Sequence, residues 1–123
     1  MITQNNVNSK EVVLSYIRAL DSQNYKSVRH YLSESVHICG PSGESFSKPE
    51  EFIDMLSRYQ GKYDVKKVFW DGEDVCVLYN LITPAATVFM SSWYQVREGK
   101  IISIQTIFDP RPFTSASRGS GNV

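Results

Sequence analysis

The feature that most constrains this fold is a change in the spacing of the apolar residues at Gly61. Before Gly61 they recur at the three- and four-residue intervals of amphipathic helices, and beyond it they alternate with polar residues, as in strands with one buried face. The pairs Asp71-Gly72 and Glu98-Gly99 interrupt this second half, and strands joined by such short turns pair antiparallel. We therefore predict an antiparallel meander with strands over 63–70, 75–83, 87–97 and 101–109.

Three amphipathic helices are predicted in the first half. Ser9 and Asn24 are suitable N-caps for the first two, and Ser47 with Glu50 has the spacing of a capping box at the start of the third. A short strand over 36–39 separates the second helix from the third. Helices segregated in sequence from an antiparallel sheet indicate an α+β layer architecture. Because three short helices cannot fill a strongly curved sheet, we expect a cone that leaves a pocket.

The length is that of one domain. With 123 residues, of which 41% are hydrophobic, the chain can bury a core without disulfides or a metal. We expect this domain to span residues 9–113. The polar residues 1–8 are expected to form a flexible leader, and the Ser- and Gly-rich residues 114–123 a disordered tail.

Charge and cysteine content limit the partners and the compartment. The 13 basic and 13 acidic residues balance, so no overall field draws the protein to nucleic acid or to an anionic membrane. No stretch is apolar for long enough to cross a bilayer, and residues 1–8 lack the apolar segment of a secretory signal. Cys39 and Cys76 lie in apolar strand-like runs and are predicted to be buried free thiols, which favours a reducing compartment, the cytoplasm.

Local motifs agree with one known family. Residues 16–28, with the sequence YIRALDSQNYKSV, resemble the helix–turn–helix start of the NTF2-like (nuclear-transport-factor-2-like) superfamily, which includes SnoaL-like and ketosteroid-isomerase-like proteins. Residues 98–101 and 108–110 are similar to its closing hairpin and last strand, so the resemblance covers about residues 11 to 113. It implies a cone in which three N-terminal helices pack on a curved antiparallel sheet around a pocket. It also implies a homodimer formed through the outer face of that sheet.

The ketosteroid isomerase branch provides a residue-by-residue test of catalysis. By resemblance, its oxyanion-hole tyrosine falls on Tyr16, its catalytic aspartate on Gly40 and its second acid near Ser92. A glycine has no side chain that could accept a proton. We therefore do not expect ketosteroid isomerase activity.

The catalytic residues of two other branches have even fewer counterparts in this sequence. Limonene epoxide hydrolases need an Asp-Arg-Asp set, but Thr106 stands where one of these acids would lie, and the strand over 75–83 contains neither Arg nor Asp. The pocket His and Asp side chains of the SnoaL cyclases have no pair here that maps onto them. The resemblance therefore implies a fold and a pocket, and assigns no reaction.

Strand alternation predicts which residues face the pocket. On the last strand the even-numbered residues are the more apolar set and are expected to face inward, which puts Ile101 on the outer face and Ile102 on the inner one. On the strand before it, Phe89 and Trp93 fall on the face opposite Ser92. An exposed tryptophan on an outer sheet face is typical of an interface, so we expect Trp93 in the dimer contact.

Tyr16 is the leading candidate for a ligand contact. Its hydroxyl could donate to a ligand carbonyl, or it could belong to a core tyrosine bonded to a backbone carbonyl, and the sequence leaves both open. Ser92, Thr106 and Asn80 could likewise contact a ligand, or be strand residues whose hydrogen bonds are satisfied within the protein. The predicted ligand pocket comprises Tyr16, Met55, Tyr59, Met90, Ser92, Tyr94, Thr106 and Phe108.

The remaining polar residues indicate no further site. His37 alternates with Ile38 and is expected to face away from the pocket, and Asp109 is expected to hold the turn at the end of the last strand. There is no Cys/His cluster at metal spacing and no Gly-rich phosphate loop, so neither a metal nor another cofactor is expected.

Two functions stay open at this point. The favoured hypothesis is a SnoaL-like protein that binds a small hydrophobic, cyclic ligand in the cone; if it is an enzyme, its shape suits an isomerase, a dehydratase or a cyclase. The alternative is a non-catalytic homodimerisation module. A ligand-sized apolar cavity favours the first, and a cavity filled by side chains favours the second.

Overall fold

The computed structural model describes residues 8–59 and 61–111; residues 1–7 of the expected leader and the expected disordered tail, 114–123, lie outside the described residues. The predicted order of helices and strands is confirmed, with one short strand added after the first. The elements are α1 (Ser9–Asp21), α2 (Tyr25–Tyr31), β1 (Leu32–Cys39), β2 (Ser45–Phe46), α3 (Pro49–Arg58), β3 (Lys62–Asp71), β4 (Asp74–Ile82), β5 (Thr87–Arg97) and β6 (Lys100–Phe108).

The strands form one six-stranded sheet in the order β2-β1-β6-β5-β4-β3. The run from β3 to β6 is the predicted antiparallel meander. The sheet as a whole is mixed, however, because β1 lies beside β6 in the parallel direction. Parallel neighbours need a long connection, and here β2, α3 and the rest of the meander supply it. The three helices and this unclosed curved sheet confirm the predicted α+β cone.

The predicted N-caps of the first two helices are only partly confirmed. Asn24 caps α2 as predicted, its Oδ1 accepting from the Ser27 amide at 3.3 Å. The cap of α1 is Asn8 and not Ser9: Asn8 Oδ1 accepts from the Glu11 amide at 3.4 Å. Both caps satisfy amides that have no partner inside a helix.

The capping box predicted for α3 is wrong. Lys48 occupies the N-cap position and no side chain caps the helix. Glu50, the residue expected to reach back to the cap, instead accepts from Arg29 of α2 at 3.0 Å. A charged partner on a neighbouring helix competes successfully with the local cap, and the pair ties α3 to α2.

The predicted orientation of the first residues of the last strand is wrong, because β6 contains a β-bulge. Gln95 pairs with Ser103 but the next residue, Val96, pairs with Ile101, so Ile102 is an extra residue in β6. The bulge reverses the alternation at this point. Ile101 is therefore fully buried in the core, and Ile102, predicted to face inward, is only half-buried.

The two faces of the sheet differ in cover. The concave face carries the core and is covered by α1 and the other helices. The outer face leaves large side chains exposed, as predicted for Phe89 and Trp93, with Phe69 and Ile107 beside them. Both cysteines are free as predicted, but they are half-buried and not buried, because Cys76 lies on the outer face beside Trp93 and Cys39 ends β1.

Candidate functional site

A cavity of about 320 Å³ lies between the concave face of the sheet and the helices. The helices α1 and α3 and strands β1 to β6 all contribute residues to its lining. Most of these residues are aliphatic or aromatic, and they include Ile38, Phe52, Tyr63 and Tyr79. The volume and the apolar lining lie in the range found for pockets that hold small molecules.

Seven of the eight residues predicted for the pocket line this cavity. Met55 of α3 is half-buried, and Tyr59, just beyond that helix, is 69% exposed at the mouth. Phe108 is the exception: it ends β6, paired with Met90, and is not among the lining residues. The lining members of the prediction are Tyr16, Met55, Tyr59, Met90, Ser92, Tyr94 and Thr106.

Tyr16 projects from α1 into the interior, and its side chain is 2% exposed. Its ring meets that of Tyr94 edge-on, with the ring centroids 5.8 Å apart. Among the described residues, none forms a hydrogen bond with the Tyr16 hydroxyl, so the backbone partner that the sequence left open is absent there. Burial, followed by the neighbouring Tyr63 and Tyr79, raises the pKa of Tyr16 well above its ordinary value. Tyr16 therefore presents a neutral phenol whose proton is available for donation.

The serine and threonine of the predicted pocket bond within the protein. The Tyr79 hydroxyl and Ser92 Oγ are 2.9 Å apart, and Ser92 Oγ and Thr106 Oγ1 are 2.8 Å apart. Of the two interpretations of Ser92 and Thr106, this agrees with strand residues whose hydrogen bonds are satisfied within the protein. Three hydroxyl protons share two internal hydrogen bonds, so one of the three protons remains for another acceptor.

Burial raises the pKa of Tyr79, and its hydrogen bond to Ser92 partly opposes that effect. The third candidate, Asn80, alternates with Tyr79 and does not line the cavity. The polar strip in the cavity floor therefore runs through neutral hydroxyls from three neighbouring strands.

Tyr63 and Tyr79 are the main lining residues that were not predicted from the sequence. Tyr79 alternates with the buried Val75 and Val77, so its inward position was readable from the pattern of β4. Tyr63 is aligned by a longer-range contact, because Asp21 at the end of α1 accepts from its amide at 2.9 Å. The rings of Tyr63 and Tyr79 then pack at a centroid distance of 5.7 Å.

The other polar residues lie where they were expected. His37 is exposed, with Nε2 3.6 Å from Cys39 Sγ. Asp109 accepts from the Arg111 amide at 3.0 Å and pairs with its guanidinium, which lowers the pKa of the Asp109 carboxyl. Within residues 8–59 and 61–111, no three His, Cys, Asp or Glu side chains form a group that could hold a metal. None of the described helices is both long and apolar enough to span a bilayer.

Known structures resemble this one over nearly its whole length. An epoxide hydrolase from M. tuberculosis described as LEH-like is 17% identical, with a TM-score of 0.76 and 91% of each chain covered. A candidate SnoaL-like polyketide cyclase from Shewanella putrefaciens is 10% identical, with a TM-score of 0.78 and 94% of each chain covered. At these identities the likeness concerns the fold alone.

One similar structure is also related in sequence. An NTF2-like protein of unknown function from Cytophaga hutchinsonii is 31% identical, with a TM-score of 0.80, over 93% of this chain and 99% of the other. No protein-family model matches the sequence, and no curated protein does. The element order, the cone and this relative lead to one conclusion: the chain belongs to the NTF2-like family.

Proposed function

We propose that this protein is a SnoaL-like small-molecule-binding protein that takes a hydrophobic, cyclic ligand into the cone cavity. The observation that carries the proposal is the hydroxyl of Tyr16, which is buried in an apolar cavity without a partner among the described residues. Buried polar groups nearly always have a hydrogen-bond partner, and an exception calls for an explanation. A ligand oxygen that accepts from Tyr16 supplies one.

The apolar lining supports the hydrophobic part of this ligand. Flat aromatic rings line the cavity from several sides, including Phe52, Tyr63, Tyr79 and Tyr94, and such surfaces suit a cyclic body. The reaction class stays open. Position 40 is a glycine, so the base of the ketosteroid isomerases has no counterpart there. If the protein turns over its ligand, an isomerase, a dehydratase or a cyclase is the class that we propose.

Titration of the protein with 2-tetralone, followed by isothermal calorimetry, tests the proposal. This bicyclic ketone combines an apolar body with one acceptor oxygen. Tyr16→Phe removes only the hydroxyl and is expected to weaken binding about fivefold, the effect of one hydrogen bond of about 1 kcal/mol. Tyr31→Phe is the control, because Tyr31 does not line the cavity. Equal affinity in the Tyr16→Phe variant and the unmodified protein would remove Tyr16 from the site.

A homodimerisation module is the second candidate function, and the outer face of the sheet favours it. Phe89, Trp93 and Ile107 are exposed on this face, Trp93 to 47% and Ile107 to 64%. Large apolar side chains exposed on one face of a sheet are typical of a protein interface. We propose that a second copy of the chain covers this face, as the resemblance implies.

Sedimentation equilibrium distinguishes this candidate. Trp93→Glu is expected to convert a dimer to a monomer, because it places a charge in the apolar centre of the contact. Ser57→Glu, which adds the same charge on the exposed side of α3, is expected to leave the dimer intact. A Trp93→Glu variant that remains dimeric would show that the outer face is not the interface.

We also propose the cytoplasm as the compartment. Both cysteines are free thiols, and free thiols persist in a reducing environment. Cell fractionation of the tagged protein tests this, and recovery from the medium or the periplasm would contradict it.

A further inference from the structure

Glu44 is the one charged residue among the described residues that line the cavity. It lies in the turn between β1 and β2, at the exposed mouth. Glu44 Oε1 accepts from the Ser42 amide at 2.9 Å, and the Gly40 amide donates to the Glu44 carbonyl at 2.8 Å. The turn therefore holds both the backbone and the side chain of Glu44 in a defined position.

Gly40 makes room for this carboxylate. A Cβ atom at position 40 would lie 2.6 Å from Glu44 Oε1 and 3.0 Å from its Cδ, well inside van der Waals contact. The carboxylate thus occupies the space that a side chain at position 40 would fill. Position 40 provides no acid of its own, but the cavity mouth has one four residues further along the chain.

The charge of Glu44 has no counterpart in the cavity. No lysine, arginine or histidine is among the described lining residues, and Glu44 takes part in none of the salt bridges found within residues 8–59 and 61–111. An unpaired carboxylate beside a low-dielectric cleft concentrates cations at its mouth. The aromatic ring of Tyr59, also at the mouth, is a second surface to which a cation is attracted.

We propose that Glu44 makes the cavity selective for ligands that carry a protonated amine beside their apolar body. This inference rests on the proposed function, because the apolar body must enter the cavity that Tyr16 lines. The amine lies at the mouth against the Glu44 carboxylate, where it stays in contact with water and loses little of its hydration. The mouth of the cavity then determines which ligands are preferred, while the interior contributes affinity for the rings of the ligand.

The experiment compares 2-aminotetralin, which is protonated at neutral pH, with the uncharged 2-tetralol of the same skeleton. Both are titrated by isothermal calorimetry into the unmodified protein at low ionic strength. The amine is expected to bind more tightly than the alcohol, and Glu44→Gln is expected to reduce this preference about two- to fivefold, the effect of an exposed ion pair. High salt is expected to reduce it as well, because the pair is exposed to solvent.

Two further variants separate a local contact from a general effect of charge. Glu51→Gln removes the same charge from an exposed position on α3 that does not line the cavity, and it is expected to leave the preference unchanged. Gly40→Ala keeps Glu44 but displaces its carboxylate, and it is expected to reduce the preference as Glu44→Gln does.

An equal loss in Glu51→Gln and Glu44→Gln would overturn the inference, since the preference would then reflect overall charge. If 2-tetralone and 2-tetralol bind and the amine shows no preference that depends on Glu44, the inference is wrong while the proposed function stands. If none of the three compounds binds, the proposed function fails with it.

Discussion

The two faces of the sheet present opposite kinds of unmet interaction. Over the concave face, Tyr16 of α1 has its ring packed and its hydroxyl without a partner among the described residues. On the outer face, Trp93 has its polar group paired, Nε1 donating to Asp74 Oδ1 at 2.9 Å, and its ring exposed. The hydroxyl of Tyr16 needs a small polar acceptor, and the ring of Trp93 needs an apolar surface. The two sides of the sheet thus present a candidate site for a ligand and a candidate site for another protein.

The difference between the two faces also separates residues that stabilise the fold from residues that are expected to act in association. Side chains on the concave face are part of the core, whereas those on the outer face are free to change without disturbing it. Three predictions test this separation, each by comparing a residue of one face with a residue of the other or with a neighbour on the same face.

The largest effect is expected from truncating adjacent residues of β5. Tyr94 is 3% exposed, and Tyr94→Ala is expected to lower the free energy of unfolding by about 3–5 kcal/mol, because it leaves a cavity in the core. Trp93→Ala, on the exposed face, is expected to cost no more than about 1 kcal/mol in dilute protein. Urea denaturation followed by circular dichroism measures both. Equal losses would show that the outer face is as much a part of the folded core as the inner one.

A smaller effect is expected from the hydroxyl chain. Ser92→Ala removes the central member and leaves the buried hydroxyl of Tyr79 without its partner, which is expected to cost about 1–3 kcal/mol of unfolding free energy. Ser91→Ala is the matched control on the outer face, where only the weaker contact with Cys76 Sγ at 3.5 Å is lost, and it is expected to change stability by less than about 0.5 kcal/mol. The same urea measurement distinguishes them, and a neutral Ser92→Ala would show that the chain does not stabilise the fold.

The smallest effect is expected where a hydroxyl has no partner to lose. Tyr16→Phe is expected to leave the stability of the ligand-free protein unchanged or to raise it by up to about 1 kcal/mol, since a desolvated, unbonded hydroxyl is removed. Tyr79→Phe is the comparison, because it breaks a hydrogen bond and is expected to destabilise. Differential scanning calorimetry without ligand measures both midpoints. If Tyr16→Phe destabilises as strongly as Tyr79→Phe, the Tyr16 hydroxyl has a partner within the protein.

Much of the concave face was predictable because it follows from local pattern. The inward positions of Ser92 and Tyr94 follow from strict alternation along β5. Tyr79 follows from the same rule in β4, which puts the candidate Asn80 on the opposite face. The burial of Tyr16 follows from the helical stripe of α1. In each case the deciding residues are neighbours within one element.

The remaining features depended on contacts between distant parts of the chain. The bulge at Ile102 arises from pairing with β5, and the loss of the α3 capping box from Arg29 on another helix. Neither feature is visible in the local sequence pattern. A strand with one extra residue has the same kind of sequence as a regular strand, and a capping box keeps its sequence when its glutamate is paired elsewhere.

Residue order along the chain was thus enough for the α+β cone, the meander and part of the cavity lining, because helix and strand periodicity are properties of neighbouring residues. The tertiary structure decided three further features: the parallel pairing of β1 with β6, the hydroxyl of Tyr16 that has no partner within the described chain, and the carboxylate of Glu44 over Gly40. Each depends on what occupies the space around a residue once distant segments have packed together. Hydrogen-bond satisfaction and charge compensation are properties of that packing, and they mark the cavity as the candidate site.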